Sequence, residues 1–215
     1  MVSDVPKPMA PIAGRPFLEY QLDYWIAQGV TKVILSVGYM KESIIGHFNS
    51  SYRGVPIEYY AEDTPLGTGG AVWLAGGHLD ECFLLVNGDT FFPIALKELL
   101  DFHKACHSEW TFSLFRSTDI DRYKGFVFKD NGEIYPIGNR APRGPDFLVN
   151  GGVYLLEPSL LRNICVPVGK NVSLEHDLVH QFLAIGGKIY GREFNVDFID
   201  IGTPTDYARA QKIFN

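Results

Sequence analysis

The sequence predicts an α/β fold: a mostly parallel sheet with helices on both faces and an added antiparallel section. Three observations carry it. Short β-rich runs, such as residues 31–37 and 82–86, alternate with stretches of helical periodicity. Their centres, residues 33–35 and 82–86, are apolar, as strands are when a sheet is covered on both faces. Residues 110–160 contain hairpin chemistry, with Asp130-Asn131-Gly132 between two short runs, which adds antiparallel structure. Neither a linker nor a repeat divides the 215 residues, so one domain spans 1–215.

The elements follow in order. Leu18, Leu22, Trp25 and Ile26 stand at i, i+4, i+7 and i+8, one apolar helix face closed by Gly29. A buried strand over 31–37, a short helix over 41–49 and a strand over 56–61 come next. The stretch 64–70 reads as a loop opening a helix over 71–75. The apolar run 82–86 ends in Asn87-Gly88-Asp89. Ala95, Leu99, Phe102 and Cys106 mark a longer helix. Strands are expected over 110–115, 125–129, 133–137 and 147–156, the middle two as a hairpin. Leu174, Leu178, Phe182 and Ile185 mark a further helix, followed by strands near 188–192 and 196–200. Thr203 and Pro204 then start a final helix, as cap and first helical residue, with Asp206 three residues past the cap.

Composition narrows the function. Nineteen Lys+Arg against 25 Asp+Glu give a net charge of −6, which argues against nucleic acid or an anionic membrane as partner. A phosphorylated small molecule stays open, because local loops bind phosphate whatever the net charge. No apolar run approaches the roughly 20 residues of a membrane span, and Met1 to Val5 carry no signal-peptide pattern. Three widely separated cysteines, Cys82, Cys106 and Cys165, suit reduced thiols and a cytoplasmic setting better than a disulfide framework.

Ligands of open α/β sheets collect beyond the carboxyl ends of strands. Glu62-Asp-Thr-Pro65-Leu66-Gly67-Thr68-Gly-Gly70 follows one strand. Its glycines let backbone N–H groups approach an anion at a helix start; the competing reading is a turn shaped by packing alone. Asn87-Gly88-Asp89 and Asp200-Ile-Gly202 follow two others. Two aspartates at the ends of separate strands can converge on one hard cation, although singly each is commonly a turn former or cap. The helix pair His176 and His180, at i and i+4, lacks a third ligand and is read as solvated, as are His103 and His107.

Read in order, Pro6-Lys7-Pro8-Met9, Pro11-Ile-Ala-Gly14-Arg-Pro16, Pro65-Leu-Gly-Thr-Gly-Gly-Ala71, Asn87-Gly-Asp89, Asn150-Gly-Gly-Val-Tyr154 and Asp200-Ile-Gly-Thr-Pro204 resemble the sugar-1-phosphate nucleotidyltransferase family. The likeness covers essentially the whole chain and is strongest to the heptose- and mannose-1-phosphate guanylyltransferases. It implies a Rossmann-like, nucleotide-diphospho-sugar transferase fold and a reaction of GTP with a sugar 1-phosphate, with Mg²⁺ as cofactor. It also implies roles. Lys7 would contact phosphates as a point charge, Asp89 and Asp200 would hold Mg²⁺, and Arg140 would pair the sugar phosphate. Glu62, Pro65, Leu66, Gly67, Thr68 and Gly88 would bind the nucleotide. Asn150, Gly151, Gly152 and Glu175 would line the sugar pocket. A homodimer is compatible with such an enzyme.

Base choice has a separate physical clue at Glu62. Many relatives that use uridine or thymidine nucleotides carry Gln at this place. A carboxylate only accepts, and guanine offers two adjacent N–H donors to it, whereas uracil and thymine also present carbonyls. The family's leading strand and Gly-Gly-x-Gly-Thr-Arg loop would precede Pro6, where this sequence has only Met1 to Val5. The resemblance therefore implies a sheet without that interior strand and a shortened, weakly active chain. Two other readings stand beside the enzyme. One is a non-catalytic sugar-nucleotide-binding relative; the other is a nicotinamide-dependent oxidoreductase built on Gly67-x-Gly69, where the third glycine position holds Val72.

Overall fold

Proline sets the first local structure. Pro6 and Pro8 cannot donate to a ladder, and the segment folds as a 3-10 turn over Lys7–Met9, with Met9 N–H donating to the Pro6 carbonyl at 2.7 Å. A computed structural model describes residues 5–62, 64–76, 79, 81–123, 125, 127, 129, 131–134, 146–167 and 169–215. Strands β1 (Pro11–Ile12) and β2 (Arg15–Pro16) pair antiparallel through Ala13 and Gly14, whose φ angles of 45° and 80° suit a tight hairpin turn. Helix α1 (Phe17–Ala27) buries Leu18, Leu22 and Trp25 of the expected apolar face, leaves Ile26 half-buried, and also buries Phe17 and Gln21.

Next come β3 (Val33–Val37), α2 (Lys41–Phe48), β4 (Ser51–Tyr52) and β5 (Val55–Ala61). They form a three-stranded sheet in the order β3-β5-β4, parallel between β3 and β5. After α3 (Gly67–Gly76), β6 (Phe83–Val86), β7 (Thr90–Phe91) and α4 (Leu96–Ala105) stand β8 (Trp110–Ser117) and β9 (Phe147–Leu156). Helix α5 (Pro158–Asn163), a π-helical turn at Leu174–Leu178, α6 (Val179–Ala184), β10 (Ile189–Glu193), β11 (Ile199–Asp200) and α7 (Pro204–Ile213) complete the chain. The second sheet runs β10-β8-β9-β6, and β7 pairs separately with β11.

Apolar packing joins the layers. Leu18 and Leu22 of α1 pack with Val37 and Ile57 of the first sheet, while Trp25 packs with Phe92, Phe115 and Val153. The other face of the second sheet presents Trp110, Phe112 and Tyr154 to Leu160, Leu178 and Phe182. Among the described residues, no helix is long and apolar enough to cross a membrane.

Several expectations change. Among the described residues, parallel pairing is confined to β3–β5 and β8–β10, because β9 runs antiparallel between β6 and β8; the antiparallel share there exceeds what the alternation of elements predicts. The expected hairpin keeps its turn, with Gly132 N–H donating to the Lys129 carbonyl at 2.9 Å. Its arms are not described as strands: Glu133 instead makes an isolated bridge to Tyr190, and 135–145 lie outside the described residues. The glycines of 67–70 are inside α3 rather than in a loop before it. Among the described residues, β3 and β6 each pair on one side only, and α1 spans both sheets.

Candidate functional site

The short β7–β11 ladder builds the centre of the site. Asp200 pairs with Thr90, and Ile201 N–H donates to the Asp89 carbonyl at 3.0 Å, so the two aspartates lie on neighbouring strands. Lys7 reaches them from the proline turn. Its Nζ donates to Asp89 Oδ2 at 2.9 Å. The hydrogen bond and charge of Asp89, with Asp200 beyond, raise the ammonium above its ordinary value despite some desolvation. Pro8 packs on Gly88, where a Cβ would stand 3.2 Å from its ring. A Cβ on Gly202 would come within 2.8 Å of Asp200 Oδ1 and 3.1 Å of Lys7 Nζ, so glycine keeps that approach open.

This donor set fits a hard divalent cation. Two part-exposed carboxylates supply oxygen ligands, and a cation, the Lys7 ammonium, is already drawn to them. Arg122 backs the pair. Its Nη2 donates to Asp200 Oδ2 at 3.2 Å and to the buried Asp206 Oδ2 at 2.7 Å. Asp206 is held in turn by the Thr203 cap of α7 and by Arg209. A cavity of about 730 Å³ lies on the Arg122 and Asp206 side of this group, with Arg116, Arg122, Tyr123, Asp206 and Arg209 in its wall.

A second cluster lies on β9 and the π-helical turn. Asn150 Nδ2 donates to Glu175 Oε1 and, at 2.5 Å, to the Tyr154 hydroxyl oxygen. That hydroxyl donates to Glu175 Oε1 at 3.0 Å. Burial and the Glu175 carboxylate push the Tyr154 hydroxyl well above its ordinary pKa, so it stays protonated as a donor. Gly152 links the two clusters: Asn87 N–H donates to its carbonyl at 2.8 Å, and its φ of +71° needs glycine. A Cβ there would also strike Thr90 Oγ1 and the Asn87 amide. Gly151 has no side chain because Phe92 fills that space.

At the end of β5, Glu62 Oε2 accepts from Leu66 N–H at 3.0 Å and Oε1 from Ser36 Oγ at 3.4 Å. The glycine run beyond it behaves unlike an anion cradle. Gly69 N–H donates to the Val172 carbonyl at 2.8 Å and Gly70 to the same atom at 3.4 Å. Thr68 Oγ1 accepts from Leu174 N–H at 2.9 Å. A Cβ on Gly67 would stand 2.6 Å from the Val172 carbonyl, so its glycine serves this docking. The helix start is thus plugged by the 172–174 strap that also carries Glu175.

Sequence reasoning therefore finds Lys7, Gly88, Asp89 and Asp200 together, and Asn150, Gly152 and Glu175 together. Arg140 lies outside the described residues. Tyr154 ends a motif without carrying an expected role of its own, and Arg122 in its loop carries no sequence pattern. His180 directs Nδ1 to the His176 carbonyl, so that pair is a local helix contact. His103 contradicts the solvated reading: it is buried, with Nδ1 2.7 Å from Thr111 Oγ1.

Comparison with known proteins gives the family. A family model described as "Nucleotidyl transferase" matches residues 1–215. The chain is 36% identical to D-glycero-alpha-D-manno-heptose 1-phosphate guanylyltransferase of Aneurinibacillus thermoaerophilus, covering 99% of this chain and 90% of that protein. It is 35% identical to the protein of the same name from Campylobacter jejuni, covering 96% and 90%. Among solved structures, HddC from Yersinia pseudotuberculosis complexed with GMP-PN superposes with a TM-score of 0.83 at 28% identity, covering 100% of this chain and 92% of that one.

Proposed function

The chain belongs to the nucleotidyl transferase family as a sugar-1-phosphate nucleotidyltransferase, and from that premise we propose that it joins GTP to D-glycero-α-D-manno-heptose 1-phosphate, releasing pyrophosphate. The observation that carries the reaction is the meeting of Lys7, Asp89 and Asp200 at one point. The heptose and guanine assignments rest on the names of the 35–36% identical relatives and on the acceptor-only chemistry of Glu62.

In the proposed step an oxygen of the sugar phosphate attacks the α-phosphorus. The new P–O bond forms as the α–β bridge breaks, and pyrophosphate leaves with the electron pair. Asp89 and Asp200 would hold Mg²⁺, which when bound neutralises triphosphate charge. Lys7 supplies a fixed positive charge beside the reacting phosphates. Gly88 and Gly202 leave the approach clear. Asn150, Tyr154 and Glu175 offer amide, hydroxyl and carboxylate groups to sugar hydroxyls. Pro65, Leu66, Gly67 and Thr68 would form the wall against the nucleoside, and Glu62 would accept from the guanine ring N–H and amino group. No protein nucleophile is needed.

The test is a pyrophosphate-release assay with Mg²⁺ over a panel of four nucleoside triphosphates and several sugar 1-phosphates. The expected leaders are GTP and the heptose 1-phosphate. Preference for another sugar would overturn the heptose assignment alone. Glu62→Gln is expected to relax discrimination between GTP and UTP by about 10-fold, the value of one charged hydrogen bond; unchanged discrimination removes Glu62 from base reading. Binding of GTP without any pyrophosphate release would select the non-catalytic reading instead.

A further inference from the structure

The end of the sheet opposite the aspartates holds a group of side chains that nucleotidyl transfer does not use. Cys82 immediately precedes β6, whose far end leads to Asp89. Glu157 immediately follows β9, and β9 pairs there with β6 and with the start of β8. His103 comes down from α4 onto the same spot. Its Nε2 lies 3.6 Å from Cys82 Sγ and 3.3 Å from Glu157 Oε1, and the three donor atoms all fall within 4.8 Å of one another. Three elements far apart in sequence thus deliver a thiol, an imidazole and a carboxylate to one point.

We propose that Cys82 Sγ, His103 Nε2 and Glu157 Oε1 form a site for a zinc-class divalent metal ion, which pins α4 to the ends of β6 and β9. The distances suit such an ion. With zinc roughly 2.0 Å from nitrogen or oxygen and roughly 2.3 Å from sulfur, tetrahedral geometry spaces N and S by roughly 3.5 Å and N and O by roughly 3.3 Å. The ring is also oriented for it. His103 Nδ1 lies 2.7 Å from the hydroxyl of Thr111, itself fully buried. If Nδ1 carries the proton, the Nε2 lone pair faces the other two donors, the arrangement that fixes a metal-binding histidine. Two lone pairs aimed at each other 3.3 Å apart need a positive charge between them. A proton on Nε2 would supply it as a plain hydrogen bond to Glu157; a metal supplies it with the thiolate as third partner.

His103 is buried, while Cys82 and Glu157 are partly open, so an ion has a way in and water can take the fourth position. Without metal, burial and the neighbouring Glu157 push the Cys82 thiol up to about 12, leaving it inert as a nucleophile. On binding, the sulfur–metal bond forms and the thiol proton passes to solvent. The ion has no place in the transfer reaction, since its ligands sit at the other end of β6.

The experiment titrates the metal-free protein with Co²⁺ as a spectroscopic stand-in. One thiolate-bound Co²⁺ per chain is expected, read from a thiolate-to-cobalt charge-transfer band that stoichiometric Zn²⁺ bleaches. The band should be lost in Cys82→Ser and kept in the Cys106→Ser, Cys165→Ser double variant. Zn²⁺ should raise the thermal midpoint of the wild type and of the double variant, but not of Cys82→Ser, whose metal-free midpoint and turnover should match the wild type. Absence of the band in the wild type would assign His103 and Glu157 a hydrogen bond only and overturn the proposal. So would a band that survives Cys82→Ser or disappears with the other two thiols.

Discussion

Asp89 is where one atom's chemistry has the largest consequence. Its carboxylate faces Lys7, and Asp200 joins them across the β7–β11 ladder. Asp89→Asn keeps the shape and removes the charge. Turnover measured by pyrophosphate release should fall by about 10²–10³-fold, as when one electrostatic stabiliser is lost, while far-UV circular dichroism and the thermal midpoint stay near wild type. Lys7 sets a pH expectation of its own. Its pKa is raised above 10.5, chiefly by the hydrogen bond to Asp89, so the ammonium stays charged below that range and is neutralised as pH rises through the folded value. A loss of rate between pH 7 and about pH 10 therefore has another source, and Lys7→Met should leave the shape of that limb unchanged while lowering its height. At the second cluster, Glu175→Gln weakens acceptance from Asn150 and Tyr154 and, in the proposed sugar pocket, from a sugar hydroxyl. The KM for sugar phosphate should rise about 10-fold with the KM for GTP unmoved. Lys7, Asp89, Asp200, Asn150 and Glu175 were legible because short motifs carry them. Arg122 was not, since a cation in a loop has meaning only beside the carboxylates it meets.

Between elements, charge takes over part of the work of apolar packing. Helix α1 presents Glu19 and Asp23 to Arg15, to His47 at the end of α2 and to Arg53 beyond β4. Burial pushes both carboxyls up. For Asp23 the hydrogen bonds from Arg53 and Arg15 outweigh it, and for Glu19 those from His47 and Arg15 do, so both lie below their ordinary 3.8 and 4.5. With depressed folded values, their stabilisation is complete above the unfolded values and is lost as pH falls through the folded ones. Denaturant midpoints should therefore decline below about pH 4.5, and Asp23→Asn should flatten that decline while lowering the midpoint at pH 7. Elements themselves were legible where periodicity was long: α1, α4, β9 and α7 stand close to their predicted bounds. Glycine propensity points away from helix at 67–70, but the Val172 carbonyl accepts the amides of Gly69 and Gly70 and holds those residues helical. The hairpin of β1 and β2 is not legible in the sequence because two-residue strands carry no period.

Across the whole molecule, α1 is the bridge between the two sheets and the site. Gln21, buried among its apolar neighbours, donates to the carbonyls of Asn87 and Thr90, the residues flanking Gly88 and Asp89. Gln21→Leu keeps the volume and leaves both carbonyls without that donor. It should cost about 1–3 kcal/mol in chemical denaturation and lower turnover together with stability, although Gln21 touches no reacting atom. Wild-type stability with wild-type turnover would show that the bridge is apolar only. The sequence by itself determined the α/β class, most of the long elements, the family likeness and the identity of the acidic pair. Those are written in local spacing, which residues close along the chain decide among themselves. Only the tertiary structure decided which strand lies beside which, that Val172 rather than an anion takes the Gly69 amide, and that Cys82, His103 and Glu157 meet. Such outcomes depend on register and packing between residues tens of positions apart, and no local pattern records them.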